Sequence, residues 1–225
     1  MSTPVQSDAP PAFLFDLDGT LVDSERANVE SVVLAVRRYG AELTEEERQF
    51  VIGHSWNEIY EMVARDHGLA VPMTQLIAEA VAEKRALLAR SGHRALPGAV
   101  SAVQRFARTS KLAIVTGAST AEARDAIDGI GIGDHIAVLV AAEDYTRGKP
   151  APDPYAQAIA RLGVSAARSI AVEDATPGIL SARAAGARVV AVRAGNFVGY
   201  DLSPADVVVD TLDDVTDEVC ARLLS

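Results

Sequence analysis

The chain has one cysteine, Cys220, so it can form no internal disulfide. Cys220 also lacks the partners of a thiol nucleophile and is expected to be a packing residue. No run of about eighteen apolar residues occurs, which argues against a membrane-spanning helix. The opening stretch, MSTPVQSDAPPA, lacks the basic segment and apolar stretch of a signal peptide. It reads as a short disordered arm, and the expected compartment is the cytoplasm. Positive charge is scarce: 21 Lys and Arg stand against 31 Asp and Glu, a formal net charge of -10. That balance disfavours a nucleic-acid partner, because a phosphate backbone needs clustered cations. It does not exclude a small anionic substrate, since a few local cations or a metal outweigh a global field. No internal repeat or low-complexity segment is present. What is present, 49% hydrophobic and 23% charged residues in 225, suffices for a sizeable core in one domain or in a large domain plus a small one.

Short β-branched runs alternate with helical patterns. The runs are AFLFD (12–16), KLAIVTG (111–117), IAVLVA (136–141), SIAVED (169–174), RVVAVR (188–193) and DVVVD (206–210). They are continuously apolar, as strands covered on both faces of a parallel sheet should be. Helical spacing fills most gaps, at AVSAVQRFART, TAEARDAIDGI, PDPYAQAIARLG and TPGILSARAAG. The pattern predicts an α/β fold built on a doubly wound parallel Rossmann-like sheet. Between the first two runs lie about ninety residues, far more than a crossover needs. SERANVESVVLAVRRYG, SWNEIYEMVARDHG and TQLIAEAVAEKRALLARSG repeat apolar residues at three and four spacing there, each with Gly after its last turn. This is an inserted all-helical domain. The expected division is residues 1–23 and 95–225 for the catalytic core and 24–94 for a helical cap.

In an open α/β sheet, ligands bind beyond the carboxyl ends of the strands. Asp16 and Asp18 follow the first run, Thr116 the second, Lys149 lies beyond the third, and Glu173 and Asp174 close the fourth. Chain order thus sets several acids and one lysine at one rim. Carboxylates crowded together repel unless a cation neutralises them, and Mg²⁺ is the economical one, taking oxygen ligands and bridging carboxylates to phosphate. A carboxylate beside Mg²⁺ can attack phosphorus in line and form an aspartyl-phosphate. Asp16 is the expected nucleophile. Asp18, two residues on, points the same way and can protonate the leaving oxygen, then deprotonate water. Lys149 would offset charge on the phosphoryl oxygens. Thr116 offers a hydroxyl, and Gly117 and Ala118 leave N–H groups approachable at a helix start. Asp174 would complete the metal site, with Glu173 bound through water or orienting it.

FDLDGTLVDSE, IVTGAS, RGKPAPDPY and AVEDATPGILSARAAG, in that order and spacing, resemble the four motifs of the haloacid dehalogenase superfamily. The resemblance runs from about Phe13 to Asp210, and the helical insert is similar to that superfamily's C1 cap in its β-phosphoglucomutase-like and phosphoglycolate phosphatase-like branch. It implies Asp16 as nucleophile, Asp18 as acid/base and as a metal ligand through its backbone carbonyl, Thr116 and Lys149 on the phosphate, and Asp174 on Mg²⁺. Dehalogenase and phosphonatase members lack the second acid; Asp18 therefore favours phosphoryl transfer, and Lys84, the one lysine of the insert, is read as exposed helix or a substrate contact. Mutases of the β-phosphoglucomutase type carry a histidine where this chain has Asn28 and an arginine where it has Trp56. These departures favour a phosphatase. Asn28, His54 and Trp56 are the expected substrate contacts of the cap, with hinges at VDSE and near Leu96-Pro97-Gly98.

The function expected is that of a Mg²⁺-dependent phosphatase acting on small phosphate monoesters, whether sugar or polyol phosphates or phosphoglycolate, in a monomer with no membrane or nucleic-acid partner. A β-phosphoglucomutase-type mutase is the alternative within the family. Outside it stands a receiver-like signalling module, which also phosphorylates an Asp beside an acidic pair, a Thr and a Lys. The GIGIG of residues 129–133 follows a helix, which marks it as a helix stop and not a dinucleotide fingerprint.

Overall fold

The computed structural model describes residues 10–225; most of the expected N-terminal arm lies outside the described residues. The chain divides into two compact units. The larger comprises the chain up to Val22, Ala95–Asn196 and Tyr200–Ser225. The smaller comprises Asp23–Arg94 together with Phe197–Gly199, a loop segment that sequence order assigns to the sheet-bearing part.

The larger unit is built on six strands: β1 (Ala12–Phe15), β2 (Lys111–Val115), β3 (Val138–Val140), β4 (Ser169–Glu173), β5 (Arg188–Val192) and β6 (Val207–Val209). All pair in parallel, in the order β3-β2-β1-β4-β5-β6. β1 therefore lies at the centre, where the strand order reverses, and ligands bind at such a switch point. Every expected strand is present, each trimmed by one to three residues. Asp16 and Thr116 still donate their N–H groups across the sheet, to Val172 O and Val140 O at 3.0 Å each, but the chain turns directly after them.

The smaller unit holds four helices, α1 (Glu25–Arg37), α2 (Glu45–Val51), α3 (Trp56–His67) and α4 (Met73–Ser91). Val32, Val33 and Val36 of α1 meet Val51, Ile59, Met62, Val63 and Leu76 in one apolar cluster, the three and four spacing of the sequence made into packing. Two helix starts carry reciprocal caps. Thr44 and Glu47 close α2, and Ser55 and Glu58 close α3, each pair satisfying N–H groups that a helix start leaves without partners. Gly68 in the left-handed region stops α3.

Among the described residues five further α-helices flank the sheet: α5 (Ala99–Phe106), α6 (Thr120–Gly129), α7 (Asp153–Leu162), α8 (Thr176–Ala184) and α9 (Asp217–Leu224). Side chains alternate across a strand, and the two cores follow that parity. Phe13 and Phe15 of β1, with Ile170 and Val172 of β4, pack against α5, α6 and α9 on one face. Ala12 and Leu14, with Ala171, pack against α7 and α8 on the other. The Phe13 and Phe106 rings stack with centroids 3.8 Å apart. Cys220 lies in the first of these cores as a packing residue. Among the described residues no helix is long and apolar enough to cross a membrane.

Candidate active site

Parity also decides where the acids go. One residue beyond β1, Asp16 continues the Ala12–Leu14 side, and Glu173 at the end of β4 continues the Ala171 side, so both carboxylates turn toward α7 and α8. Oxygens of Asp16, Glu173 and Asp174 come within 4.8 Å of one another, and all three residues are buried. Lys149 supplies the one cation among them. Its Nζ donates to Asp16 Oδ1 and Glu173 Oε1 at 2.6 Å each and to the Val115 carbonyl at 3.1 Å. The Lys149–Pro150 peptide bond is cis.

The Gly-Thr after the acids has a structural task. Gly19 has φ 81°, and a Cβ there would overlap the Asp174 carboxylate, so only glycine lets the loop come this close. Thr20, fully buried, donates its hydroxyl to Asp174 Oδ1 at 3.2 Å. Gly178 of α8 does the same for Glu173, whose carboxylate occupies the space of the missing side chain.

Asp18 stands apart from this cluster. It is exposed, and its Oδ2 accepts a long 3.4 Å hydrogen bond from the hydroxyl of Thr116. Thr116 Oγ1 also accepts from the Ala118 N–H at 3.0 Å, and the Thr116 carbonyl accepts from Tyr145 Oη at 2.9 Å. The open helix start expected behind Thr116 is not found. Ala118 N–H is engaged by Thr116, Ser119 and Glu122 close a reciprocal cap on α6, and the Glu143 carboxylate takes the Thr120 N–H at 2.9 Å. Gly117, between Thr116 and Ala118, is exposed at this corner.

Three carboxylates against one ammonium leave excess negative charge in a dry place. Burial, with Glu173 and Asp174 adding, holds the Asp16 carboxyl well above the usual range despite the pull of Lys149. Burial and the Glu173 charge lift Asp174 to about 7. Burial pulls Lys149 down, but Asp16 and Glu173 outweigh it and raise the ammonium above an ordinary lysine.

Of the residues singled out in the sequence, Asp16, Asp18, Thr116, Lys149, Glu173 and Asp174 meet at this rim. Asn28, His54 and Trp56 belong to the helical unit. Asn28 is half-buried on α1, exposed His54 stacks on Phe50 with centroids 3.7 Å apart, and Trp56 packs against the apolar cluster. Lys84 is half-buried on α4. The sequence reading missed Thr20, Tyr145 and Tyr155, although two of them lie inside quoted motifs. Tyr155, on α7, donates its hydroxyl to Glu173 Oε1 at 2.6 Å.

A parallel sheet with this order, carrying acids and a lysine at its switch point, defines a doubly wound, Rossmann-like α/β protein with its candidate site at the carboxyl ends of the strands. The family of haloacid dehalogenase-like hydrolases matches residues 13–192. Hexitol phosphatase A of Escherichia coli (strain K12) is 35% identical over 210 residues, 91% of this chain and 92% of that protein. Validoxylamine A 7'-phosphate phosphatase of Streptomyces hygroscopicus subsp. limoneus is 32% identical over 204 residues, 90% of this chain and 94% of that protein. Among solved structures, CbbY from Rhodobacter sphaeroides in complex with phosphate superposes with a TM-score of 0.73 at 22% identity, over 92% of this chain and 96% of that one, a likeness of fold. The chain belongs to the haloacid dehalogenase-like hydrolase family and is an enzyme of its phosphatase kind. Membership sets aside the receiver-like reading.

Proposed function

We propose that the enzyme is a Mg²⁺-dependent phosphomonoesterase that hydrolyses small sugar or polyol phosphates, or phosphoglycolate, through an aspartyl-phosphate on Asp16. The observation that carries this is the buried trio of Asp16, Glu173 and Asp174 clasped by Lys149, with a separate, exposed carboxylate on Asp18. The donor set fits Mg²⁺: every side-chain ligand is a carboxylate oxygen, and the excess negative charge calls for a cation. Asp16 and Asp174 would hold the ion, with the Asp18 carbonyl as the third protein ligand and Glu173, whose Oε1 already accepts two donors, behind them. When bound, the ion offsets the charge of the acids and of the phosphoryl oxygens.

The chain's own groups then act in order. Asp16 attacks phosphorus, forming a P–O bond to its carboxylate while the bond to the ester oxygen breaks. Asp18 gives its proton to that leaving oxygen. Lys149 and the Thr116 hydroxyl hold the phosphoryl oxygens, where negative charge builds up. Asp18, now a carboxylate, takes a proton from water, which attacks phosphorus, releases inorganic phosphate and restores Asp16. The phosphatase relatives support small phosphate esters as substrates, and Asn28 and Trp56 in place of a mutase's histidine and arginine favour water as the acceptor.

The test is phosphate release from a panel of hexitol, sugar and glycolate phosphates, with Mg²⁺ and with EDTA, while β-glucose 1-phosphate conversion is followed in parallel. Multiple turnover that EDTA abolishes is the expected result. Isomerisation without net phosphate release would make the enzyme a mutase.

A further inference from the structure

Tyr155 is the buried group to which the roles above give no task. It is fully buried on the inward face of α7, beside Ala158, Ile159 and Leu162. Phenylalanine would fill that space equally well, so packing does not call for the hydroxyl. Yet the hydroxyl donates to Glu173 Oε1 at 2.6 Å, the same oxygen that takes an N–H of Lys149 at 2.6 Å. The ammonium also stands 5.2 Å from the centre of the Tyr155 ring. Gly178 closes the far side of the Glu173 carboxylate, which leaves that group one place to sit. Lys149 has three N–H groups, directed at Glu173 Oε1, the Val115 carbonyl and Asp16 Oδ1. Two of those acceptors are fixed; the third, Asp16, is the one that reacts.

We propose that Tyr155 is a positioning residue for Lys149: its hydroxyl, with Gly178, pins Glu173 Oε1 as the rear anchor of the ammonium, so that the third N–H stays directed at the oxygen arriving over Asp16. The inference rests on the phosphoryl-transfer reading of the site. Two donors on one carboxylate oxygen share its charge, so Glu173 holds Lys149 without drawing it back from the phosphoryl group. Removing the hydroxyl leaves Glu173 with Lys149 alone and loosens the carboxylate.

The experiment compares the full-length wild type, Tyr155→Phe, Glu173→Gln and the double variant. Tyr155→Phe is expected to keep its circular dichroism spectrum with a modest fall in melting temperature, to hold KM for p-nitrophenyl phosphate within about twofold and to lose about tenfold in kcat. In the Glu173→Gln background the same change should remove nothing further, because the tyrosine acts only through that carboxylate. Orthovanadate binding in Mg²⁺, followed by calorimetry, should weaken by the same factor as kcat in Tyr155→Phe, which reads the placing of the ammonium without turnover. Wild-type kcat and vanadate affinity in Tyr155→Phe overturn the inference, as does an equal loss in both backgrounds. A wild type that releases no phosphate while Tyr155→Phe still weakens vanadate binding would sink the phosphatase reading and leave the positioning role standing. A wild type that neither turns over nor binds vanadate overturns both.

Discussion

Lys149→Met tests the charge argument most directly, since methionine keeps the apolar stem and removes the ammonium. The lost group reaches Asp16 and Glu173 at 2.6 Å each, and those carboxylate side chains are 10% and 2% exposed. Taking one partner from a buried pair costs about 3–5 kcal/mol, because the charge left behind has no water to turn to. For a chain of this length that is a fall in melting temperature of roughly 6–20 °C. The pH dependence has a definite sign. The folded-state pKa of Lys149 is raised, so its contribution is present in full below the ordinary lysine value of about 10.4 and is lost only as pH rises past it. Across about pH 5 to 8 that contribution is flat. Asp16 and Asp174 are raised already in the wild type, and without the ammonium that opposes the shift they bind protons more readily still, so the stability of the variant rises more steeply as pH falls and the deficit shrinks. The assay is thermal denaturation of both proteins in metal-free buffer at about pH 8 and about pH 5.5. A variant as stable as the wild type at the higher pH would show that the ammonium does not hold these acids together, and the charge account of the site would go with it.

Asp16→Asn should release no phosphate while keeping its spectrum and melting temperature; an active, folded variant would move the nucleophile elsewhere. Asp18→Ala should lose about 10²- to 10⁴-fold in steady-state turnover and accumulate an enzyme carrying one phosphoryl group, visible in intact-protein mass spectrometry. Normal rates there would reassign the acid/base. Gly178→Ala places a methyl group on a Glu173 carboxylate already tied to Lys149 and Tyr155, and should cost about 1–3 kcal/mol of stability together with most of kcat. If neither stability nor rate changes, Glu173 moves aside freely and is no anchor.

The strands were legible because burial in the sheet writes itself as unbroken apolar runs, and α1, α3 and α4 because their apolar residues keep helical spacing; α2, with Val51 its one buried residue, has no such stripe and was not among the expected helices. The parts that were not legible depend on contacts through space. Tyr155 sits in register with Ala158, Ile159 and Leu162, and nothing in that period separates a ring that only packs from one whose hydroxyl meets Glu173. The start of α6 looked open because Glu143, which closes it, comes 23 residues after Thr120. Phe197–Gly199 follows β5 in the chain yet belongs to the compact helical unit, which sequence order cannot reveal.

The acids of FDLDGT are one device. The end of β1 delivers Asp16 to the face that Glu173 also takes, and the next residue of like parity, Asp18, emerges into solvent. Gly19 and Thr20 then bring the loop onto Asp174 and fasten it. Each step raises the density of negative charge in a buried place, which by itself works against folding. A local arrangement that opposes stability persists where the rest of the fold supports it and where the site uses it. Here the apolar layers on both faces of the sheet supply the support. On the proposed reading that use would be affinity: carboxylates that cannot separate would hold a cation more strongly than the same groups in water, and Lys149 supplies only part of the positive charge that would balance them.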